Sequence, residues 1–487
     1  MRHDLCAVLG LVLPVVMAAQ HAQRAPLKPA PGRTSDAITA ADLAFRWQSL
    51  REDSARADAT KPPGGLTTTA RIGREMKSLG FMPAGEHGTF FQSVPLVART
   101  LSPESRISVN NVLMTAYADF AALPFSGSSA AALDGVQAMY GGVYGDTVHV
   151  ITGAQAAGKL VVIKAPNGLG RLPLNSALQR AAAIAIVGGD ALSPEVIARA
   201  HGAVYRLKGV KDVVEEPVIL VVTKLSATQL VGGALDGMAV GTVGHVIAVN
   251  LIYDETPATA RNVVAVLPGR DPALRGEFVT VDARLAANAI GVAAMMEVAE
   301  AFARGKTKPR RSLLFILYAG DEEGELGSRF FTDHPTVTRD SIVAEINIDM
   351  VGRGAAVDLP TGGERSLQVV GSRRLSTQLG DLIDSVNRGQ SKRFALDHAY
   401  DASAHPANLY CRSDHFNYAR YGIPGVIVTT GPHDDTSLVK GARRDLEYQY
   451  VARVGQFALD LARRVADLEH KVTLDKPGPD PLAACRQ

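Results

Sequence analysis

The sequence is poor in cysteine, in aromatic residues and in net charge. It has three cysteines and one tryptophan among 487 residues, aromatic residues make up 6%, and the formal net charge is +2. So few cysteines exclude a disulfide framework and a cysteine-rich zinc knuckle. Lysine and arginine are scattered along the chain, so no basic stripe predicts nucleic-acid binding. No Gly-x-Ser-x-Gly turn stands between a strand and a helix, which leaves a serine hydrolase without support.

The sequence also lacks a long hydrophobic run. No segment approaches 18 uninterrupted apolar residues, so no integral membrane segment is predicted for the mature chain. The apolar run from Cys6 to Met17 is too short to span a bilayer; it follows Arg2 and precedes small residues. This order is typical of a secretory signal peptide, predicted over residues 1–20, with a membrane anchor as the alternative. We therefore expect export, either to a periplasm or out of the cell.

The apolar content is enough for more than one core. Hydrophobic residues make up 46% of the chain, and Leu43, Trp47 and Leu50 have the spacing of a core-facing helix. Short valine- and isoleucine-rich runs over residues 133–256 indicate a small β-rich unit, with an alanine-rich helix expected near residues 176–183. Longer strands and helices then alternate to residue 470, which favours a three-layer α/β/α domain.

Two predictions concern the end of the chain. Residues 471–487 contain several prolines, so a flexible tail is expected there. Cys411 and Cys485 both lie beyond the signal peptide. They pair if the tail folds back, and otherwise remain two free thiols.

Acidic residues follow two apolar strands of the α/β unit. Residues 313–318 lead into Asp321, Glu322 and Glu323, and residues 346–348 lead into Asp349. Carboxylates at the carboxyl ends of buried strands lie where open α/β sheets usually build their sites. The pattern predicts a metal-hydrolase centre, although the acidic turn taken alone is more typical of a solvated loop.

Six motifs in order resemble the secreted di-zinc aminopeptidase family, peptidase family M28. They are Asn-Val-Val-Ala-Val-Leu-Pro-Gly from 262, the acidic turn ending Leu-Gly-Ser at 328, Asn-Ile-Asp-Met-Val-Gly-Arg from 347, Arg-Ser-Asp-His-Phe-Asn-Tyr-Ala from 412, Gly-Ile-Pro from 422, and Thr-Gly-Pro-His-Asp-Asp from 430. The resemblance implies a zinc-exopeptidase domain with a mixed sheet, formed by residues 34–132 and 257–470. It also implies that residues 133–256 are an inserted protease-associated domain.

Members of the resembled family remove amino-terminal residues from peptides. Two zinc ions share a bridging carboxylate and activate a water, and a neighbouring Glu acts as general base. Carried over residue by residue, the base position becomes Asp321, and two ligand positions become Glu322 and Asp349. The other three ligand positions are replaced, by Arg284 and Ser437 for histidines and by Ala287 for the bridging carboxylate.

These replacements predict that zinc binds weakly or not at all, since zinc prefers at least three protein ligands. We expect Arg284 to stand in place of the metals and to pair with Glu322 or Asp349 through charge-assisted hydrogen bonds. Asp349 is then either a remnant of the site or a buried structural carboxylate. Further residues of the resembled pocket are Ser413, Asp414, His415, Gly431 and His433. For His415 we favour a hydrogen-bonded core histidine.

Two functions remain open. In the first, the protein is an exported, catalytically impaired homologue that binds a peptide or a protein partner. In the second, it is a working metallo-exopeptidase with a mononuclear or relocated zinc site built from Glu322, Asp349 and a histidine such as His433. The sequence leaves open whether the protein is an enzyme.

Overall fold

Two β-sheets, each with its own apolar core, organise the chain. The computed structural model describes residues 37–56, 66–123, 132–165, 177–210, 217–285, 290–319, 325–352, 365–403, 405, 408–431, 448–481 and 485. Within these ranges no helix is both long and apolar enough to cross a membrane.

The described ranges contain ten α-helices and eighteen strands. The helices are α1 (Ala40–Arg56), α2 (Leu66–Ser78), α3 (Gly153–Ala156), α4 (Pro194–Ala200), α5 (Lys224–Val231), α6 (Ile290–Arg304), α7 (Leu326–Asp333), α8 (Thr377–Gly389), α9 (Asp414–Ala419) and α10 (Tyr448–Ala466). The strands are β1 (Met82–Pro83), β2 (Phe91–Leu101), β3 (Arg106–Val109), β4 (Val112–Thr115), β5 (Phe120–Ala122), β6 (Ala132–Val143), β7 (Leu160–Lys164), β8 (Ala183–Val187), β9 (Val204–Leu207), β10 (Val218–Val222), β11 (Val243–Asn250), β12 (Tyr253–Leu267), β13 (Phe278–Arg284), β14 (Ser312–Tyr318), β15 (Ile342–Ile348), β16 (Ser366–Val370), β17 (Ala395–Asp397) and β18 (Gly425–Thr429).

The first sheet is mixed and forms the middle layer of three. Its order is β17-β16-β18-β15-β13-β14-β12-β2-β9, with β1 also paired to β12. Strands β14, β13, β15 and β18 run parallel, so their carboxyl ends meet at one edge of the sheet. Helices α1, α6 and α10 pack on one face, while α7 and α9 lie on the other. The predicted three-layer α/β/α architecture with a mixed sheet is confirmed.

The second sheet has the order β4-β3-β11-β6-β7-β8-β10-β5, with buried apolar clusters on both faces. It takes β3, β4 and β5 from residues ahead of 133, and it does not include β9, which pairs with β2 of the first sheet. The β-rich character predicted for this region is present. The domain boundaries and the identification as a protease-associated domain stay predictions.

The alanine-rich helix expected near residues 176–183 is wrong for the described part of that segment. Leu178–Arg180 forms a single 3-10 turn, and Ala183–Val187 is strand β8. Strand β8 lies between β7 and β10 and its first four residues are fully or almost fully buried on both faces. A parallel strand covered on both faces reads as a continuous apolar run, which cannot be told from a buried helix by periodicity alone.

Residues of the tail are hydrogen-bonded to the segment that leads into α8, while the flexible tail expected over residues 471–487 stays a prediction. The Asp475 backbone N–H donates to Leu375 O at 3.2 Å, and the Thr377 N–H donates to Asp475 Oδ1 at 2.8 Å. Cys485 is disulfide-bonded to Cys411, with 5.5 Å between the two Cα atoms. Proline prevents a helix here, but it does not prevent hydrogen bonding by the residues between the prolines.

We predict that removing the disulfide destabilises the fold. It closes a loop with a sequence separation of 74, and loops of this length are expected to contribute about 2–4 kcal/mol through the unfolded state. The double variant Cys411→Ser with Cys485→Ser should lose that amount in urea unfolding, and it should no longer respond to reductant. The reduced wild type is the control. A double variant as stable as the oxidised protein would contradict the prediction.

Candidate active site

Polar side chains occupy one face of two adjacent parallel strands. Strands β13 and β15 pair with Asp282 opposite Asn347, and side chains two apart along a strand share a face. We call this set the polar ladder; its members are Thr280, Asp282 and Arg284 on β13, and Glu345, Asn347 and Asp349 on β15 and directly after it. The ladder ends with Arg284 and Asp349 at the carboxyl edge of the sheet.

The alternation along these strands explains why the polar ladder forms. The intervening residues face the main core; they are Val279, Val281, Ala283, Ala344, Ile346 and Ile348. The polar face is covered by α9 rather than by water, so Asp282, Glu345 and Asn347 are 0% exposed. Buried polar groups need partners, so the ladder must be satisfied internally.

Arg284 and Asp349 form the contact at the end of the polar ladder. Arg284 Nε donates to Asp349 Oδ1 at 2.8 Å, and the side chains are only 17% and 5% exposed. The predicted charge-assisted pair is therefore present with Asp349. Glu322, the other predicted partner, lies outside the described residues.

The backbone after Asp349 fixes the direction of its carboxylate. Met350 has a left-handed conformation with φ 46°, and its N–H donates to Asp349 Oδ1 at 2.7 Å. The Met350 carbonyl in turn accepts from the hydroxyls of Thr429 at 3.2 Å and Thr430 at 3.0 Å. Left-handed non-glycine residues persist only where the surroundings hold them. Strand β18 thus holds the turn that presents Asp349 to Arg284.

Glu325 is a third acidic member of the site, which the sequence analysis did not single out. It precedes α7 in a left-handed conformation with φ 53°, and its Oε1 lies 3.7 Å from Arg284 Nη1. Burial raises the pKa of Glu325 to about 7, although the positive charge of Arg284 lowers it. Its place directly after the acidic turn was the available signal. That signal does not say which of several adjacent carboxylates turns inward.

Asp414, at the start of α9, is bonded to the polar ladder. Asn347 Nδ2 donates to Asp414 Oδ2 at 3.2 Å, and Ser413 Oγ donates to Asn347 Oδ1 at 3.4 Å. Burial raises the pKa of Asp414 to about 6, and the positive charge of Arg284 lowers it. Ser413 and Asp414 are therefore joined to the polar ladder through Asn347.

His415 is a core residue, but it is not hydrogen-bonded as expected. Neither ring nitrogen has a hydrogen-bond partner in the structure, and the ring packs edge-on to Tyr410 at 4.9 Å. Gly371 leaves the space it needs, since a Cβ there would lie 2.8 Å from His415 Cδ2. Burial lowers the pKa of His415 to about 3, so it is neutral. The His415 ring is therefore held by packing contacts and not by hydrogen bonds.

The remaining predicted residues divide into two groups. Gly431 follows β18 with φ 104°, and its N–H donates to Thr429 Oγ1 at 3.1 Å. The others lie outside the described residues; they are Asp321, Glu322, Ala287, His433 and Ser437. The roles assigned to these five stay predictions.

The described part of the site does not fit a zinc ion. Asp349 Oδ1 is taken by the guanidinium of Arg284, which is a permanent cation. His415 is fully buried and packs against Tyr410. Over the described ranges, no group of three or more His, Cys, Asp or Glu is arranged to hold a metal.

Comparisons with known proteins match part of this chain to a peptidase family and to a characterised relative. Residues 286–451 match the model of peptidase family M28. Leupeptin-inactivating enzyme 1 of Streptomyces exfoliatus is 31% identical over 107 residues, which are 20% of this chain and 24% of that protein. The chain thus aligns with about a quarter of the length of that relative.

Two solved structures are similar over most of the chain. An aminopeptidase from Aneurinibacillus sp. strain AM-1 superposes with a TM-score of 0.51 at 16% identity, covering 91% of this chain and 97% of that one. BSAP, a zinc aminopeptidase from Bacillus subtilis, gives a TM-score of 0.47 at 14% identity, covering 90% and 98%. At such identities the first likeness supports the fold alone.

We predict strong coupling between Arg284 and Asp349. Arg284→Met leaves a buried carboxylate unpaired, so unfolding free energy should fall by about 3 kcal/mol. Asp349→Asn should also destabilise, and the double variant should lose less than the sum, with a coupling of about 1–3 kcal/mol in urea unfolding. The more exposed pair Arg310 and Asp271, 29% and 21% exposed, is the control and should couple by less than about 1 kcal/mol. Additive losses at Arg284 and Asp349 would contradict the pairing.

We also predict a titration of Glu325 near neutral pH. Its pKa of about 7 in the folded state exceeds the ordinary 4.5, so the native state binds the extra proton. Its contribution to stability is complete below about pH 4.5 and is lost as pH rises through 7. Carboxyl NMR should give a midpoint near 7 that moves higher in Arg284→Met, because the guanidinium no longer favours the charged form. A midpoint near 4.5 in both proteins would contradict this assignment.

Proposed function

We propose that this chain, whose residues 286–451 match the model of peptidase family M28, is an exported, aminopeptidase-like protein that binds peptides without two-zinc catalysis. One observation carries the proposal: the 2.8 Å contact between Arg284 Nε and Asp349 Oδ1 at the carboxyl edge of the sheet. Export rests on the signal-peptide pattern of residues 1–20.

The charge balance of the site supports the proposal. A zinc ion beside Asp349 would replace a charge-assisted hydrogen bond and would sit next to a second, permanent positive charge. Zinc also needs at least three protein ligands to bind tightly. Asp349 already neutralises Arg284, and Glu325 lies 3.7 Å from the same guanidinium. The arginine therefore neutralises acidic side chains of the site, as the metals do in the resembled family, but it cannot activate a water as a metal does.

The site keeps groups that can bind a peptide. Asp349 Oδ2 and Asp414 Oδ1 are buried and accept no hydrogen bond of normal geometry, although the Ser328 hydroxyl lies close enough to the Asp414 carboxyl to favour its ionised form. Both oxygens belong to residues at the carboxyl edge of the sheet, where ligands of α/β proteins commonly bind. Acceptors of this kind suit the ammonium group or the backbone N–H groups of a peptide. Peptide binding is thus compatible with loss of the metal ligands.

We expect the purified protein to retain little zinc. After loading with zinc and dialysis, elemental analysis should find well under one zinc per chain. The triple variant Arg284→His, Ala287→Asp and Ser437→His should recover part of the binding, because it restores the ligand types of the resembled family. Arg270→His, at an exposed position away from the site, is the matched control and should remain unchanged. Stoichiometric, tightly held zinc in the wild type would overturn the proposal.

Turnover is tested with a panel of aminoacyl fluorogenic substrates, with and without zinc and a chelator. We expect no chelator-sensitive turnover, together with binding of a fluorescein-labelled Leu-Gly-Gly peptide that survives the chelator. Asp414→Asn should weaken that binding, because it removes the charge of a buried acceptor. Chelator-sensitive hydrolysis that is abolished by Glu322→Ala would instead establish a metallo-exopeptidase with a mononuclear or relocated zinc site.

A further inference from the structure

Two fully buried carboxyl groups of the polar ladder have no assigned role. Asp282 and Glu345 lie beneath the site and are both 0% exposed. Glu345 lies opposite Thr280, and Asp282 lies opposite Asn347. The first pair precedes the second by two residues on each strand, so all four side chains share one face of the sheet. Diagonal neighbours on one face of a sheet are within reach of a long side chain. The Glu345 carboxyl can therefore meet that of Asp282.

The hydrogen-bond donors around these carboxyl groups are too few. Asn347 Nδ2 donates to Asp282 Oδ1 at 2.6 Å and to Asp414 Oδ2 at 3.2 Å, which uses both of its protons. Asp282 Oδ2 and both oxygens of Glu345 accept no hydrogen bond of normal geometry, although the Val426 N–H lies close enough to the Glu345 carboxyl to lower its pKa slightly against the larger effect of burial. Burying an unpaired charge costs far more than burying a neutral, hydrogen-bonded acid. A proton on one of the carboxyl groups supplies the missing donor.

The neighbouring strand β18 leaves room for the Glu345 carboxyl because it has a glycine at that point. Gly425 is opposite Glu345 on β18, and a Cβ added there would clash with Glu345 Oε2. A glycine at this point lets the side chain pass directly over the strand. The Glu345 carboxyl is thereby held inside the ladder, where it cannot reach solvent.

We propose that Glu345 is kept as a neutral carboxylic acid that donates its proton to Asp282 Oδ2. Asp282 is the acceptor because its other oxygen already accepts from Asn347, and such a bond favours the ionised form. The acid pair also fixes the amide of Asn347 in the orientation that donates to Asp414. Glu345 is in this sense a positioning residue for the site.

The charged and titratable groups around the pair agree with a retained proton. They are Arg284 on β13, Tyr318 on β14, Asp349 directly after β15, and Asp414, His415 and Tyr418 on α9. Arg284 is paired with Asp349, and His415 is neutral. Burial first, and then the negative charge of Asp282, raise the pKa of Glu345 well above its ordinary value.

The sign of the pH dependence follows. The native state keeps a proton that the unfolded state releases near pH 4.5, so stability falls as pH rises above that value. One such group changes the folding equilibrium constant up to tenfold per pH unit, which is about 1.4 kcal/mol. Glu345→Gln keeps the shape and a donor but cannot titrate. Its folding constant should match that of the wild type at pH 5 and exceed it at pH 8.5.

Two further comparisons make the test decisive. Glu345→Leu removes the donor to Asp282, so its folding constant should fall at both pH values, whereas Glu345→Gln should not. The infrared carbonyl band of a protonated carboxylic acid should be present in the wild type at pH 8.5, where Glu325 and Asp414 are ionised. It should disappear in Glu345→Gln and persist in Glu104→Gln, a change at an exposed position.

Three outcomes would overturn the proposal. The first is an absent carbonyl band in the wild type at pH 8.5. The second is a band that survives in Glu345→Gln. The third is equal loss of stability in the Gln and Leu variants, which would mean that Asp282 needs no donor from residue 345. None of these measurements depends on whether the protein binds peptides.

Discussion

The guanidinium of Arg284 is the charge against which the acidic groups of the site are balanced. It donates to Asp349 at 2.8 Å and lies 3.7 Å from Glu325, and its field lowers the pKa of Asp414. Three carboxyl groups gathered at one edge of a sheet repel one another unless a cation lies among them. Arginine meets this need because it stays charged and presents several donors in a fixed geometry. The arrangement of the site follows from this single side chain.

The polar ladder extends this constraint into the protein interior. Its deeper members, Asp282, Glu345 and Asn347, are fully buried beneath α9, where each unpaired polar atom is costly. Asn347 joins the two layers, because its amide donates to Asp282 below and to Asp414 above. The site is therefore supported by a hydrogen-bonded network within the sheet rather than by loops alone. Such networks specify a single arrangement only when every member is satisfied.

The fold of this chain and the chemistry of its site rest on different residues. The mixed sheet and its covering helices have the same fold as the similar aminopeptidase structure, and residues 286–451 match the family model. At the carboxyl edge Arg284 is bonded to Asp349, and it is the resemblance that implies a metal ligand at the position of Arg284. A fold is maintained by its apolar faces, while activity depends on a few side chains that can change independently. Likeness of fold therefore does not carry the activity with it.

The sequence by itself determined the layers of the first domain and the two strand ends that meet. The periodicity of α6 and α10 is local, and the pairing of Arg284 with Glu322 or Asp349 was expected from the ligand positions of the resembled family. Tertiary structure alone decided that β8 is a strand, that Cys485 reaches Cys411, and that Glu325 turns inward. It also decided that α9 buries Asp282 and Glu345, since alternation shows which residues share a face but not what covers that face. The difference is physical: local pattern fixes the element, and long-range packing fixes its surroundings.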